Sequence, residues 1–398
     1  MGSESRNRYL LKNTLIFTLG NIGSRMISFF LIPLYTNVLT TSQYGTVDLI
    51  TTISTVAGPM LTLNIAESVM RFGLDKDADK EKNTQCGSIV LLIAMIIGLV
   101  LIPICRCITE VSDYAMYVYF YVISLSASQL FLCDLRGKEL LLKYSLGNIL
   151  QTLMIAILNI TFLLVFKMET GGYLLAYIIA NFIVAIYAII AGKGYKAFSF
   201  HNIDRCKLKE MIRYSVVLIP NTFMWWIMNS SDRVMVTYMI GAAANGIYAV
   251  SYKLPTLVST LTGIFNQAWS YSAIREEGTS DETEYNNKMF KTLSAIAFMM
   301  GIGLLLLTKP FLGVYVADSY YDAWKYTPFL IIGCVYLTLG TFMATSYTVH
   351  KDSFGYLFSG SFGAVFNILL NFILIPVIGV YGAALATCCL LYTSPSPR

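Results

Sequence analysis

The chain has 398 residues, of which 56% are hydrophobic and only 13% are charged, and its formal net charge is +5. Soluble domains carry about 25% charged residues, whereas a chain that lies in lipid along most of its length needs few. The composition therefore excludes a disordered scaffold, a secreted disulfide module and a soluble cytosolic enzyme, and it predicts an all-α polytopic membrane protein. The eight cysteines form no C-x-x-C pair and there are only two histidines, so we expect no metal site and no cofactor.

Apolar runs of about 20 residues are long enough to cross a bilayer as helices. In chain order they predict spans at 12–38, 45–68, 86–106, 114–134, 145–166, 172–192, 214–240, 244–269, 291–308, 327–348 and 356–376, with a twelfth starting at 380. The twelfth run ends after about ten residues, too few to cross the bilayer, and two prolines follow. We expect a truncated twelfth helix and a non-native tail at 392–398, with a genuine short re-entrant end as the alternative.

The basic residues predict how the chain crosses the membrane. If the N-terminus is cytoplasmic, 20 lysines and arginines fall in cytoplasmic segments and 4 on the opposite side. This distribution follows the positive-inside rule. The positive charge therefore reflects orientation and gives no evidence for nucleic acid as a partner.

Two segments about 200 residues apart share an arrangement, a short link followed by a glycine between two long apolar runs. They read Leu39-Thr-Thr-Ser-Gln-Tyr-Gly45-Thr-Val-Asp48-Leu and Ile240-Gly-Ala-Ala-Ala-Asn-Gly246-Ile-Tyr248-Ala-Val. Each joins two long apolar runs, and the most basic connection, 193–213, lies between the two halves. Transporters are often built from such repeats. We predict two six-helix bundles related by an internal repeat, 1–192 and 214–391, joined by a cytoplasmic linker at 193–213.

Several short motifs carry a resemblance to a known family. The first half contains Lys12-Asn-Thr-Leu-Ile-Phe-Thr-Leu-Gly20-Asn21, Leu31-Ile-Pro33-Leu-Tyr35-Thr and Tyr44-Gly45-Thr-Val-Asp48-Leu. The second half contains Tyr214-Ser-Val-Val-Leu-Ile-Pro220, Ser231-Asp232-Arg233, Gly246-Ile-Tyr248, Tyr252-Lys253, Asn367-Ile-Leu-Leu-Asn371 and Gly379-Val-Tyr-Gly382-Ala-Ala. In order and spacing, these motifs resemble polysaccharide and oligosaccharide flippases (Wzx-like) of the MOP superfamily.

The resemblance implies two bundles around a central cavity and a transporter, not an enzyme. It implies that a lipid-linked oligosaccharide moves from the cytoplasmic to the outer leaflet of a bacterial or archaeal cytoplasmic membrane. The expected partners are this substrate, the bilayer and, within the same pathway, glycosyltransferases and a glycan polymerase. A cation-coupled multidrug exporter of the same superfamily is the second hypothesis, and a membrane-embedded glycan polymerase or ligase is the third.

Charged residues inside predicted spans are the candidates for transport, because such residues are expensive in lipid. Arg25 lies about halfway along the first predicted helix, beside Asn21, and is the candidate contact for pyrophosphate. Alternatively, a carboxylate on a neighbouring helix neutralises Arg25 and the two only hold the bundle together. Arg233 and Asn266 are the further substrate-binding candidates.

Two other groups of charges are predicted to act together. Asp232 and Lys253 lie at similar depth on adjacent predicted helices, so we expect a structural ion pair, with cation coupling as the alternative; Asp48 is grouped with them. Glu67 with Arg71, and Asp134 with Arg136, lie at predicted cytoplasmic helix ends, where a gate would open. For Glu67 and Arg71, four residues apart, a local helix pair is the simpler interpretation.

Overall fold

The computed structural model describes residues 27–75, 78–107, 109–198, 203–276, 282–349 and 353–393. The chain divides into two compact units. Unit 1 comprises Met1–Leu34 and Ile50–Thr222, and unit 2 comprises Tyr35–Leu49 and Phe223–Arg398. The predicted boundaries at 192, 213 and 391 stay a prediction.

The described residues fold into α-helices with short connections. In chain order the helices are α1 (Ile32–Val38), α2 (Thr41–Leu61), α3 (Ile65–Gly73), α4 (Lys80–Arg106), α5 (Ala115–Gly137), α6 (Leu141–Ile160), α7 (Glu169–Ala191), α8 (Arg205–Met239), α9 (Ala242–Ser251), α10 (Pro255–Glu276), α11 (Glu282–Tyr315), α12 (Thr327–Val349), α13 (Ser353–Ile378) and α14 (Val380–Thr393). Single 3₁₀ segments lie at Thr109–Tyr114, Gly194–Phe198 and Asp318–Lys325, and a π-helical turn at Thr161–Val165 extends α6. The prediction of an all-α polytopic membrane protein is confirmed.

Within the described ranges, six helices are long and apolar enough to cross a membrane. They are Lys80–Arg106, Ser112–Gly137, Leu141–Val165, Glu169–Ala191, Thr283–Tyr315 and Thr327–Thr345, and the bent pair Thr41–Leu61 and Ile65–Gly73 makes a seventh if it counts as one span. Of the other predicted spans, 214–240 and 356–376 correspond to α8 and α13, 244–269 is interrupted between α9 and α10, and 12–26 lies outside the described residues. Some of these helices also carry polar side chains. In α8, for example, Asn221, Asp232 and Arg233 lie within an apolar sequence.

Two predicted spans break because local backbone chemistry ends the helix. The span 45–68 bends by 60° between α2 and α3, where Leu63 and Asn64 adopt left-handed φ angles of 51° and 54°. The span 244–269 breaks between α9 and α10, and Pro255 begins the second helix. Proline has no backbone N–H to continue a preceding helix and is well suited to a first helical position.

Helix α5 lies at the centre of unit 1. In the most apolar stretch of Ser112–Gly137, 67% of the residues are buried. Leu130, Phe131 and Leu135 lie in the main apolar core of the unit. Close approach of α3 supports this packing, because a Cβ on Gly73 would lie 2.9 Å from the Cα of Gly137. Unit 1 is therefore a packed bundle, and it contains the polar cavity that is treated below.

Two apolar clusters lie in the described part of unit 2. One surrounds the buried Tyr248 and Val236. In the other, the rings of Trp269 and Phe342 stack with centroids 4.4 Å apart. The 3₁₀ segment contributes Tyr320, which is fully buried and donates a hydrogen bond of 3.0 Å to the Leu39 carbonyl.

The two glycine-containing segments, 39–49 and 240–250, pack against each other in unit 2. A Cβ on Gly45 would lie 1.8 Å from the carbonyl oxygen of Ala242, and a Cβ on Gly246 would lie 2.0 Å from the carbonyl oxygen of Thr41. Each glycine therefore contacts a carbonyl group of the other segment, and that carbonyl belongs to the residue four positions before the other glycine. The two contacts are symmetric and require glycine at both positions. The larger internal repeat stays a prediction.

Candidate functional site

Unit 1 contains a polar cavity of about 800 Å³. Its wall is formed by residues of α2, α3, α5, α6 and α8 and of the bend between α2 and α3. Five of the lining side chains are amides: Asn64, Gln129, Asn148, Gln151 and Asn221. Hydroxyl-bearing neighbours complete the polar wall, namely Ser128, Tyr144, Tyr214 and Thr222. Amides and hydroxyls both donate and accept hydrogen bonds, so the cavity suits a ligand with many neutral polar groups.

The bend between α2 and α3 positions Asn64 on the wall of this cavity. Pro59 lies inside α2, and asparagine is among the residues that adopt the left-handed conformation most readily. The Asn64 side chain donates a 3.3 Å hydrogen bond to the Thr222 hydroxyl on α8. The bend therefore places the Asn64 amide on the cavity wall, and the hydrogen bond to Thr222 holds it there.

One of the two cavity amides on α6 is held in place by a hydrogen bond to α7. Asn148 and Gln151 are three residues apart, so they lie on one face of the helix. Gln151 donates a 2.7 Å hydrogen bond to the Asn181 side chain, which is almost fully buried on α7. This contact restrains the Gln151 side chain while it lines the cavity.

Glu67 is the one carboxylate among the residues that line the cavity. It lies on α3 and is partly buried. Within the described residues its carboxylate has no ion pair and no hydrogen bond, and none of the lining residues there is lysine, arginine or histidine. The predicted pair of Glu67 with Arg71 is wrong, because Arg71 instead contacts Asp75 at 2.6 Å.

The second predicted gate pair also has different partners. Asp134, 4% exposed in its side chain, forms an ion pair of 2.6 Å with Lys138, one helical turn on, and not with Arg136. The Thr84 hydroxyl donates to Asp134 at 2.5 Å, and Lys138 donates to the Gly192 carbonyl at 2.9 Å. These contacts tie α4, α5 and the end of α7 together. Arg136 lies over the Tyr144 ring, 5.5 Å from its centroid. The gate itself stays a prediction.

Unit 2 contains a buried network of charged groups at the crossing of Gly45 and Gly246. The Nη1 of Arg233 lies 3.2 Å from Oδ1 of Asp48, with both side chains mostly buried. Asn245 donates to the other Asp48 oxygen at 3.3 Å and to the Gly45 carbonyl at 3.0 Å. The network joins α2, α8 and α9, so Asp48 and Arg233 stabilise the packing of these three helices.

Asp232 is held by hydroxyl groups. Tyr248 donates to its Oδ2 at 2.7 Å, Tyr252 donates to the same oxygen, and Thr387 of α14 donates at 3.1 Å. The backbone N–H of Arg233 donates to Oδ1 at 2.9 Å. Asp232 is 3% exposed, so four donors replace the water that this carboxylate loses on burial.

The predicted ion pair of Asp232 with Lys253 is wrong. Its derivation assumed one continuous helix from the turn near Ala242, but α9 ends at Ser251 and Lys253 lies in the turn before Pro255. Within the described chain, Lys253 has no carboxylate oxygen within 4 Å, and Asp48 pairs with Arg233 instead. Asp232 has hydroxyl partners that the sequence spacing did not indicate.

The remaining candidates are separate from both groups. Asn266 on α10 donates a 2.8 Å hydrogen bond to Thr341 on α12, which ties two helices of unit 2 together. Arg25 and Asn21 lie outside the described residues. The predicted role of Arg25 as a pyrophosphate contact therefore stays a prediction.

The amides of the cavity were not predicted, because most candidates within the spans were charged residues. A signal was present, since all five amides fall inside predicted spans and an uncharged polar side chain also needs a partner there. Asn148 and Gln151 show it best, because their spacing puts two amides on one face of an otherwise apolar run.

Comparisons with known proteins agree with this architecture. The sequence model of a family described as "Polysaccharide biosynthesis protein" matches residues 10–271, about two thirds of the chain. No curated protein matches the chain significantly.

Three solved structures show what the fold is similar to. An inward-facing multidrug resistance MATE family transporter of the MOP superfamily has 12% identity and a TM-score of 0.69, covering 95% of this chain and 92% of that one. The lipid II flippase MurJ, in an inward closed conformation, has 13% identity and a TM-score of 0.65, covering 95% and 85%. A MOP superfamily transporter from Pyrococcus furiosus has 13% identity and a TM-score of 0.60, covering 96% and 92%.

At these identities the structures establish the fold, and the family model establishes the family. The three solved structures are those of two transporters and a flippase. The chain belongs to the polysaccharide biosynthesis protein family, and its multi-helix fold is similar to that of MATE family transporters and of the lipid II flippase MurJ.

Proposed function

We propose that this protein is a transporter that moves a lipid-linked oligosaccharide from the cytoplasmic to the outer leaflet of a bacterial or archaeal cytoplasmic membrane, with its N-terminus in the cytoplasm. The observation that carries the proposal is the amide-lined cavity of unit 1. Membership of a polysaccharide biosynthesis family and a fold shared with a lipid II flippase support it.

The chemistry of the substrate explains why such a cavity is needed. Moving one hydroxyl from water to hydrocarbon without a hydrogen-bond partner costs about 4 to 8 kcal/mol, and each sugar carries several hydroxyls. Passage therefore requires a wall that offers hydrogen bonds along the path. The cavity volume lies within the range of about 300 to 1,000 Å³ that is typical of small-molecule sites, so it can hold a small sugar unit while the lipid tail stays in the bilayer.

The glycosyltransferases that make the substrate and a polymerase that uses it outside are the proposed functional partners. Arg25, which is predicted to lie in the membrane, is the proposed contact for the pyrophosphate. Arg233 and Asn266 hold helices together through the contacts described above, so we do not assign them to the substrate.

Transport by the purified full-length chain in proteoliposomes tests the proposal. The probe is a polyprenyl pyrophosphate that carries a short, fluorescent neutral glycan, and its movement is followed by quenching with a membrane-impermeant reagent. We expect protein-dependent translocation of this probe and no accumulation of ethidium. Ethidium transport without glycan translocation would instead support the multidrug exporter.

A further inference from the structure

We infer that Glu67 makes the unit 1 cavity selective for sugars that are neutral or carry an amino group, and selective against sugars that carry an acidic group. This inference rests on the proposed function and specifies the substrate class of the same cavity. Its basis is the distribution of charge on the cavity wall.

The wall has one acidic side chain and, among the described residues, no basic one. The amides of Asn64, Gln129 and Asn221 can bind hydroxyl or acetamido groups, because each offers both donors and acceptors. A second carboxylate brought into the cavity would meet Glu67 without a cation from the described wall between them. An ammonium group would find in Glu67 an acceptor of opposite charge.

Three basic residues that follow the lining residues of α3 and α5 are engaged elsewhere. Arg71 pairs with Asp75 at 2.6 Å, and Lys138 pairs with Asp134 at 2.6 Å. Arg136 lies over the ring of Tyr144 and is not among the lining residues. The negative charge of Glu67 is therefore not offset on the wall by these residues.

The expected selectivity follows from repulsion between like charges in a partly dehydrated cavity. Such a pair a few ångströms apart is disfavoured by about tenfold or more, because the surroundings screen it less than bulk water does. The preference for neutral and amino sugars over acidic sugars should therefore depend on the charge of Glu67 and not on its size. Glutamine has nearly the same shape without the charge.

The test compares three probes in proteoliposomes that contain the full-length protein. Each probe is a polyprenyl pyrophosphate with a disaccharide that ends in N-acetylglucosamine, glucosamine or glucuronate. We expect the wild type to translocate the glucuronate probe about tenfold more slowly than the other two. Glu67→Gln should reduce this difference to about threefold or less. Glu210→Gln, at an exposed position on α8 outside the cavity, should leave it unchanged.

A second variant keeps the test valid if Glu67→Gln folds poorly. Gln129→Lys places a cation on the same wall and should raise the rate for the glucuronate probe relative to the N-acetylglucosamine probe. Equal rates for all three probes in the wild type would overturn the inference but leave the proposed function intact. An unchanged ratio in both variants would also overturn it, whereas translocation of no probe would refute the proposed function.

Discussion

The glycine crossing in unit 2 gives a quantitative prediction for stability. The Cβ that Gly45→Ala or Gly246→Ala introduces would lie about 2 Å from a backbone carbonyl oxygen of the other helix, and a backbone atom cannot rotate away. The helices must separate by more than 1 Å to reach ordinary contact distance. Overpacking of this kind costs about 1 to 3 kcal/mol, and the rigid neighbour puts it at the upper end. The helical preference of alanine offsets about 1 kcal/mol, so we expect each variant to lose about 2 kcal/mol.

Thermal unfolding of the purified protein in detergent measures this effect. Gly303→Ala and Gly340→Ala are matched controls, because both positions are helical and a Cβ there would meet nothing within 4 Å. We expect the controls to keep or raise the Tm and both crossing variants to lower it by several degrees. If Gly45→Ala and Gly246→Ala melt with the controls, the close symmetric contact does not exist.

Three further predictions concern charge and orientation. Asp48→Asn and Arg233→Met should each destabilise the protein, by about 3 to 5 kcal/mol if the remaining charge stays buried. A double-mutant cycle measured by thermal unfolding should show a coupling energy of about 0.5 to 3 kcal/mol. Additive losses would contradict the ion pair. Cys107 and Cys206 are both exposed, so in variants that keep only one of them, a membrane-impermeant maleimide should label Cys107 and not Cys206 in intact cells. The reverse labelling would invert the topology. Arg25→Ala should abolish glycan export at a normal protein level while Arg25→Lys retains part of it, and full export by Arg25→Ala would exclude a pyrophosphate contact.

The fold could be predicted from the sequence because long apolar runs in a membrane protein have few alternatives to helices. The breaks within the runs were harder to predict. At Leu63 and Asn64 the backbone turns left-handed after Pro59, and a hydropathy pattern contains no information on φ. The break before Pro255 could have been predicted from the sequence, since proline disfavours a helical conformation in the residue before it.

The candidate site was less predictable because partners depend on three-dimensional packing. Spacing along a helix suggested Lys253 as the partner of Asp232, yet Thr387 from a helix 155 residues away donates to that carboxylate. The same limit applies to the cavity. Its wall combines Asn64 from the α2–α3 bend, Asn148 from α6 and Asn221 from α8, and no local motif marks them as neighbours.

Protection of Cys133 tests the central claim most directly, because this native cysteine lines the cavity of unit 1. In a variant that retains only Cys133, the rate of modification by a small methanethiosulfonate reagent is measured with and without a lipid-linked neutral glycan. We predict that this glycan slows modification strongly, that polyprenyl pyrophosphate without sugar does not, and that a variant retaining only Cys206 is unaffected by either. Unchanged modification of Cys133 while the same preparation translocates the glycan would show that the sugar passes elsewhere.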